Sequence, residues 1–136
     1  MAHALKGYHG KCKHVHGHSY ILYVTVTGEP NSNINDSTYG MVIDFGELKQ
    51  LVNTYIVDKF DHALVLRKDA EMADALQKEY GNIILTGYQP TCENMVIAFA
   101  EVLNQHLPPH VRLYSLRLHE TATSYAEWYA ADNATD

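Results

Sequence analysis

Basic residues are scarce in this chain: lysine and arginine number 10 against 16 aspartates and glutamates, for a formal net charge of −6. No Lys/Arg run exceeds a dipeptide. A face that neutralises nucleic-acid phosphates needs clustered cations, so a nucleic-acid partner is disfavoured. Cysteine is scarcer still, with only Cys12 and Cys92. Two thiols are too few for a disulfide framework and fit a reducing cytosol, so a cytoplasmic protein is expected. Long apolar runs are missing as well. The longest, residues 95–100, falls far short of the roughly 20 residues a membrane-spanning helix needs, so no membrane association is expected. No basic stretch followed by an apolar one opens the chain, which argues against a secretory signal. Internal repeats and low-complexity linkers are absent too.

What is present is an ordinary core-forming composition, 46% hydrophobic over 136 residues, which predicts one domain covering 1–136. With nucleic acid and membrane disfavoured, the expected partner is a small-molecule substrate. The compositional oddity is nine histidines, four of them between His9 and His18.

Residues 19–27 are rich in β-branched and aromatic side chains and predict a strand; turn chemistry follows from Gly28 to Thr38, and 39–44 predicts a second strand, closing a hairpin. Asp44 stands at an N-cap with Glu47 three residues on. Leu48, Leu51, Val52, Tyr55 and Ile56 then recur at helical spacing, predicting a helix over about 45–58. A second short helix is expected within 69–80, closed by Gly81, with a brief strand at 83–85. Thr91 caps a third helix whose face carries Val96, Phe99, Ala100, Leu103 and Leu107 and which Pro108-Pro109 stops. Strands are expected at 111–119 and 124–130. In 111–119, Val111, Leu113, Ser115 and Arg117 alternate against Arg112, Tyr114, Leu116 and Leu118. The layout is α+β, an antiparallel sheet with helices.

His16 and His18 flank Gly17 at the mouth of the first strand, and residues i and i+2 of an extended segment point to one side, so both imidazoles can converge on a metal ion. His3 is the leading third ligand, with His9 and His14 behind it; three neutral imidazoles and an open position form a catalytic zinc pattern. The alternative is a polar loop that happens to be rich in histidine. Cys12 reads as ligand, nucleophile, base or buried bystander; its neighbours Lys11 and Lys13 favour a thiolate and hence a proton acceptor. Cys92, in the first turn of a helix, reads as structural. Asp61-His62 is a carboxylate-oriented imidazole suited to acid/base work near neutral pH. Thr91-Cys92-Glu93 and His119-Glu120-Thr121 are ambiguous by themselves.

Taken in order, Ala2-His3, Gly10-Lys11-Cys12, His16-Gly17-His18, Gly40 through Lys49, Phe60-Asp61-His62, Pro90-Thr91-Cys92-Glu93-Asn94 and His119-Glu120-Thr121 resemble the 6-pyruvoyl-tetrahydropterin synthase / 6-carboxy-tetrahydropterin synthase family along nearly the whole chain. The resemblance implies a tunnelling fold, with helices packed on one face of an antiparallel sheet. Subunits would join into trimers that stack as a homohexamer around a β-barrel, with active sites where subunits meet. It implies zinc (Zn2+) on His3, His16 and His18, and Cys12 as the proton-abstracting thiolate. Asp61 and His62 would be a proton relay from a neighbouring subunit, Glu120 the pterin anchor, and Thr91 and Glu93 the pocket lining. The implied substrate is 7,8-dihydroneopterin triphosphate.

The short Cys12-x3-His16 spacing resembles the bacterial branch of queuosine biosynthesis, whose products are 6-carboxy-5,6,7,8-tetrahydropterin, acetaldehyde and triphosphate. The pyruvoyl-forming branch and a non-catalytic pterin- or metal-binding relative are the alternatives. A folate branch has glutamate where Cys12 stands. Family members carry a strand ahead of the first histidine, and His3 is the third residue here, so that strand is expected to be missing. The stretch from 67 to 87 is longer than in compact relatives and is assigned no catalytic role.

Overall fold

The computed structural model describes residues 1–133. Seven strands and four helices follow in the order β1 (Ala2–His3), β2 (His16–Gly17), β3 (Ile21–Gly28), α1 (Phe45–Val52), α2 (Asp58–Phe60), β4 (Leu64–Arg67), α3 (Ala73–Tyr80), β5 (Ile83–Thr86), α4 (Cys92–His106), β6 (Val111–His119) and β7 (Tyr125–Tyr129). The strands form two sheets, β3-β6-β7 and β2-β1-β4-β5. The first is antiparallel throughout. In the second, β1 runs antiparallel to β2 but parallel to β4, and β4 parallel to β5, so a wholly antiparallel architecture is corrected to a mixed one. Helix α3 supplies the crossover that parallel β4 and β5 require. Among the described residues no helix is long and apolar enough to cross a membrane.

The three-stranded sheet carries the core on one face. Leu22, Val24 and Val26 of β3 stand opposite Leu118, Leu116 and Leu113 of β6. Met95, Val96, Phe99, Ala100 and Leu103 of α4 pack onto them, with Ile56 joining from the α1–α2 segment. Helix α4 and the α1–α2 segment thus cover this face, whereas α3 packs beside β5 of the other sheet. The other face leaves Ile21, Tyr23, Tyr114, Tyr125 and Tyr129 exposed.

The conflicting apolar phases of β6 are resolved by a bulge. Thr25 pairs with Ser115 but Val26 with Leu113, so Tyr114 is the extra residue. One inserted residue shifts the alternation by one position, which puts Val111, Leu113, Leu116 and Leu118 all on the core side.

The hairpin expected between 19–27 and 39–44 does not form. Residues 39–44 hold no strand; Asn31 N–H donates to the Met41 carbonyl and Gly40 N–H to that of Asn31, both at 2.8 Å, folding the segment back on itself. Gly40 sits at φ 81°, in left-handed backbone that an extended strand cannot contain. The ladder of β3 goes to β6 instead.

Helix α1 starts where expected, the Asp44 carboxylate accepting from the Gly46 and Glu47 amides. It continues through a π-helical turn, Asn53–Val57, into α2 and ends at Phe60, two residues beyond the expected 58. Gly81 closes α3 at φ 78°, and Thr91 Oγ1 caps α4 by accepting from Asn94 N–H at 3.3 Å.

Leu103 is fully buried against β6. Leu103→Ala is expected to cost about 2–5 kcal/mol, the range for emptying a well-packed leucine site, whereas Thr91→Ala is expected to cost about 1 kcal/mol through loss of the cap. Urea unfolding of the two variants checks the order.

Candidate metal centre and active-site cleft

Strand β1 is two residues long, yet it is held on both sides. His3 lies directly opposite His16 of antiparallel β2 and opposite Val65 of parallel β4. Alternation then carries His16, His18 and Tyr20 to the same side of the chain, each partly buried between exposed neighbours. The three imidazoles present one nitrogen each, all within 4.8 Å of one another. His3 Nε2 and His16 Nε2 are 3.1 Å apart.

Their orientation is fixed from behind. His3 Nδ1–H donates to the Pro90 carbonyl at 2.7 Å and His16 Nδ1–H to the His14 carbonyl at 2.8 Å. With the proton on Nδ1, both Nε2 lone pairs face inward, the arrangement of metal-ligating histidines. Burial, the largest influence on His3, pulls its pKa down despite the Pro90 bond and the nearby Glu120 charge, so the ring is neutral and available as a ligand. His18 Nε2 is buried and has no hydrogen-bond partner. An unsatisfied buried group costs about 1–3 kcal/mol, and a cation among the three nitrogens would satisfy it. The donor set therefore fits a divalent metal ion.

Glu120 closes this cluster from the end of β6. Its Oε1 is 3.5 Å from His18 Nε2 and its Oε2 is 3.9 Å from His3 Nε2. The Tyr20 hydroxyl donates to Oε2 at 3.2 Å. Burial first, and the Glu120 charge second, raise the Tyr20 pKa far above the usual phenol range, so the hydroxyl stays a donor.

Asp61 and His62 occupy a tight turn in which Ala63 N–H returns to the Phe60 carbonyl at 3.1 Å. Asp61 at φ −64°, ψ 130° and His62 at φ 57° match a type II turn, whose third position normally belongs to glycine. His62 is the only non-glycine residue at positive φ among those described, a strained placement of the kind that clusters at functional sites. Its Nδ1 lies 3.0 Å from Asp61 Oδ1, and its side chain is 91% exposed. Both residues line a cleft of about 470 Å³ that also takes in His18, Tyr20, Phe60 and Phe99. That volume suits a small organic ligand. Asp61, His62 and His18 all line this cleft.

The 6-pyruvoyl tetrahydropterin synthase family model matches residues 1–131. The chain belongs to that family. It is 33% identical over 132 residues to the 6-carboxy-5,6,7,8-tetrahydropterin synthase of Haemophilus influenzae, covering 94% of this chain and 91% of the relative. The enzyme of the same name from Rickettsia typhi is 32% identical over 129 residues, 92% of this chain and 90% of its own. Among solved structures, the Caenorhabditis elegans 6-pyruvoyl tetrahydropterin synthase superposes with a TM-score of 0.63 at 26% identity, covering 95% of this chain and 87% of that one. A Wolinella succinogenes protein shares the fold with a TM-score of 0.77 at 19% identity, covering 95% of this chain and 92% of its own.

The other expected site residues of this tetrahydropterin synthase family member are placed less directly. Cys12 is half-buried in a 3-10 turn, Lys11–Lys13, whose loop is closed by Leu5 N–H donating to the Cys12 carbonyl at 2.9 Å. Thr91 spends its hydroxyl on capping α4, and Glu93 is exposed in that helix's first turn. Neither lines the cleft. Cys92 is structural: its thiol donates to the Leu118 carbonyl at 3.1 Å, and burial pushes its pKa up to about 11. Sequence reasoning missed Tyr20 and the backbone carbonyls of Pro90 and His14. Extending the His16/His18 alternation by two residues would have found Tyr20; the carbonyls carry no sequence signal.

His18→Ala is expected to abolish retention of a divalent metal, measured by elemental analysis of the purified protein, while Cys12→Ala retains it. Metal loss in the Cys12 variant would make the thiol a ligand.

Proposed function

We propose that this protein is a zinc-dependent lyase converting 7,8-dihydroneopterin triphosphate to 6-carboxy-5,6,7,8-tetrahydropterin, with release of acetaldehyde and triphosphate, as in queuosine biosynthesis. The observation that carries this reading is the trio of inward-facing imidazoles of His3, His16 and His18 with the Glu120 carboxylate against it. The names of the Haemophilus and Rickettsia relatives and the short Cys12-x3-His16 spacing support the carboxy-forming branch.

His3, His16 and His18 would hold the zinc, which would supply a Lewis acid for the hydroxyl and keto oxygens of the substrate side chain and so acidify the adjacent C–H bonds. The remaining work falls to the chain's own residues. Glu120 accepts two parallel hydrogen bonds from the 2-amino and ring N–H groups of the pterin, a match for the two oxygens of a carboxylate. Cys12, as thiolate, takes a proton from one face of the substrate side chain. His62, held by Asp61, moves a proton on the other face, and its exposure lets it exchange that proton with solvent. Phe60 and Phe99, edge to face at 4.9 Å, give the cleft an apolar wall. Thr91 and Glu93, at the start of α4 and outside the cleft lining, are assigned to the pterin pocket on the family resemblance alone.

We further assign the active assembly as a homohexamer built around a β-barrel. Support comes from the exposed face of the three-stranded sheet, with Ile21, Tyr23, Tyr114, Tyr125 and Tyr129, and from β3 and β7, each paired along one edge only among the described residues. Open strand edges and aromatic patches of this kind are normally covered.

Incubation of the zinc-loaded protein with 7,8-dihydroneopterin triphosphate tests the reading: acetaldehyde, triphosphate and a carboxypterin mass are expected. A pyruvoyl-pterin mass would move the protein to the other branch, and absence of both triphosphate and acetaldehyde would end the enzyme assignment. Cys12→Ala is expected to lower turnover by about 10²-fold or more, the scale of a lost acid/base group. His62→Gly is expected to do the same while leaving stability within about 1 kcal/mol, because glycine relieves the positive-φ strain; thermal unfolding separates the two effects.

A further inference from the structure

The Tyr20 hydroxyl stands between two groups of the site. It donates to Glu120 Oε2 at 3.2 Å and lies 3.4 Å from His3 Nε2, while those two acceptors are themselves 3.9 Å apart. Its ring is fixed edge to face against His3, with centroids 6.0 Å apart, and against His18 at 5.6 Å. Tyr20 is thus locked by the imidazoles and in turn holds the carboxylate.

Glu120 is in a position that needs such a restraint. Two ligands of one tetrahedral ion, each bonded at about 2.0–2.1 Å, stand roughly 3.3 Å apart. Glu120 Oε1 is 3.5 Å from His18 Nε2, within a few tenths of an ångström of that separation. A carboxylate so close to three neutral imidazoles has a strong electrostatic reason to complete the coordination, turning an open catalytic site into a closed one. Its other oxygen is the one Tyr20 engages.

We propose that Tyr20 is a positioning residue: its hydroxyl restrains Glu120 beside the histidine trio, keeping the carboxylate out of the metal's open position and available to substrate. This rests on the reading of the trio as a metal site and of Glu120 as the substrate anchor. In the free enzyme the Tyr20–Glu120 bond occupies one carboxylate oxygen. When the substrate's N–H groups arrive, the same bond sets the plane in which the two oxygens face them. A phenylalanine keeps the ring packing and removes only the restraint.

The test compares the full-length wild type, Tyr20→Phe, Glu120→Gln and the double variant, without substrate. Two quantities are read: zinc affinity by competition with a chelating dye, and the visible spectrum of the cobalt-substituted proteins, which reports coordination. Tyr20→Phe is expected to hold zinc about tenfold more tightly, the lower end of what groups around a metal contribute. Its cobalt spectrum is expected to change as a carboxylate enters. The double variant is expected to match Glu120→Gln alone in both quantities, an equality that a general structural effect of Tyr20→Phe would not give. Glu120→Gln alone is expected to keep the wild-type cobalt spectrum, because the carboxylate is held off the ion, and to bind zinc somewhat more weakly through loss of its nearby charge. A changed cobalt spectrum in Glu120→Gln alone would show Glu120 to be a resident ligand and overturn the proposal, whether or not Tyr20→Phe folds. A folded Tyr20→Phe with unchanged affinity and spectrum would overturn it as well. If the wild type itself holds no zinc, the metal reading fails and this inference falls with it; a zinc-binding protein that fails only to turn over pterin leaves the inference standing.

Discussion

Burial of His3 ties the rest of the structure together. This imidazole is 2% exposed, sits in a strand of two residues, and is reached from three directions: β2 across an antiparallel pairing, β4 across a parallel one, and the Pro90 carbonyl at its Nδ1. A buried polar ring is tolerated only when its hydrogen-bonding groups are satisfied. Satisfying this one brings together four segments far apart in sequence: the start of the chain, the histidine loop, the strand after the Asp61–His62 turn, and the turn before α4. The same set of contacts aims its Nε2 at His16 and His18.

Around that ring the site is a balance between burial and charge. Depression of the His3 pKa and elevation of the Tyr20 pKa share a first cause, desolvation, and both keep the neutral form. Glu120 is the charged member of the group, set between neutral donors and acceptors. Such a network holds its shape because each member has few alternatives in a partly dry environment, and removing one leaves another unsatisfied. The exception is His18 Nε2, which has no hydrogen-bond partner and gives the site its capacity for a ligand.

Local departures from regular structure fall where they matter. The extra residue in β6 moves Leu116 and Leu118 onto the core face just before the strand delivers Glu120. A π-helical turn precedes the Asp61–His62 turn, and His62 takes a backbone conformation that glycine would adopt at lower cost. A histidine kept at that cost is better explained by its side chain than by its backbone.

Much was legible in the sequence. Helix α4 and its Thr91 cap, the bounds of β6, the Asp44 cap, the Gly81 stop and the convergence of His16 with His18 all follow from local rules: capping, glycine geometry and alternation act over a few residues. The missing hairpin, the parallel pairing of β1, β4 and β5, and the Tyr114 bulge were not legible, because pairing and register are settled by which distant strand completes a ladder. The same division runs through the site. Sequence by itself determined which side chains were available and that His16 and His18 share a side. Tertiary structure alone decided that His3 completes the trio, that Tyr20 and Glu120 meet beside it, and that Asp61–His62 shares a cleft with His18, since long-range contacts are fixed by burial of the whole core and not by spacing along the chain.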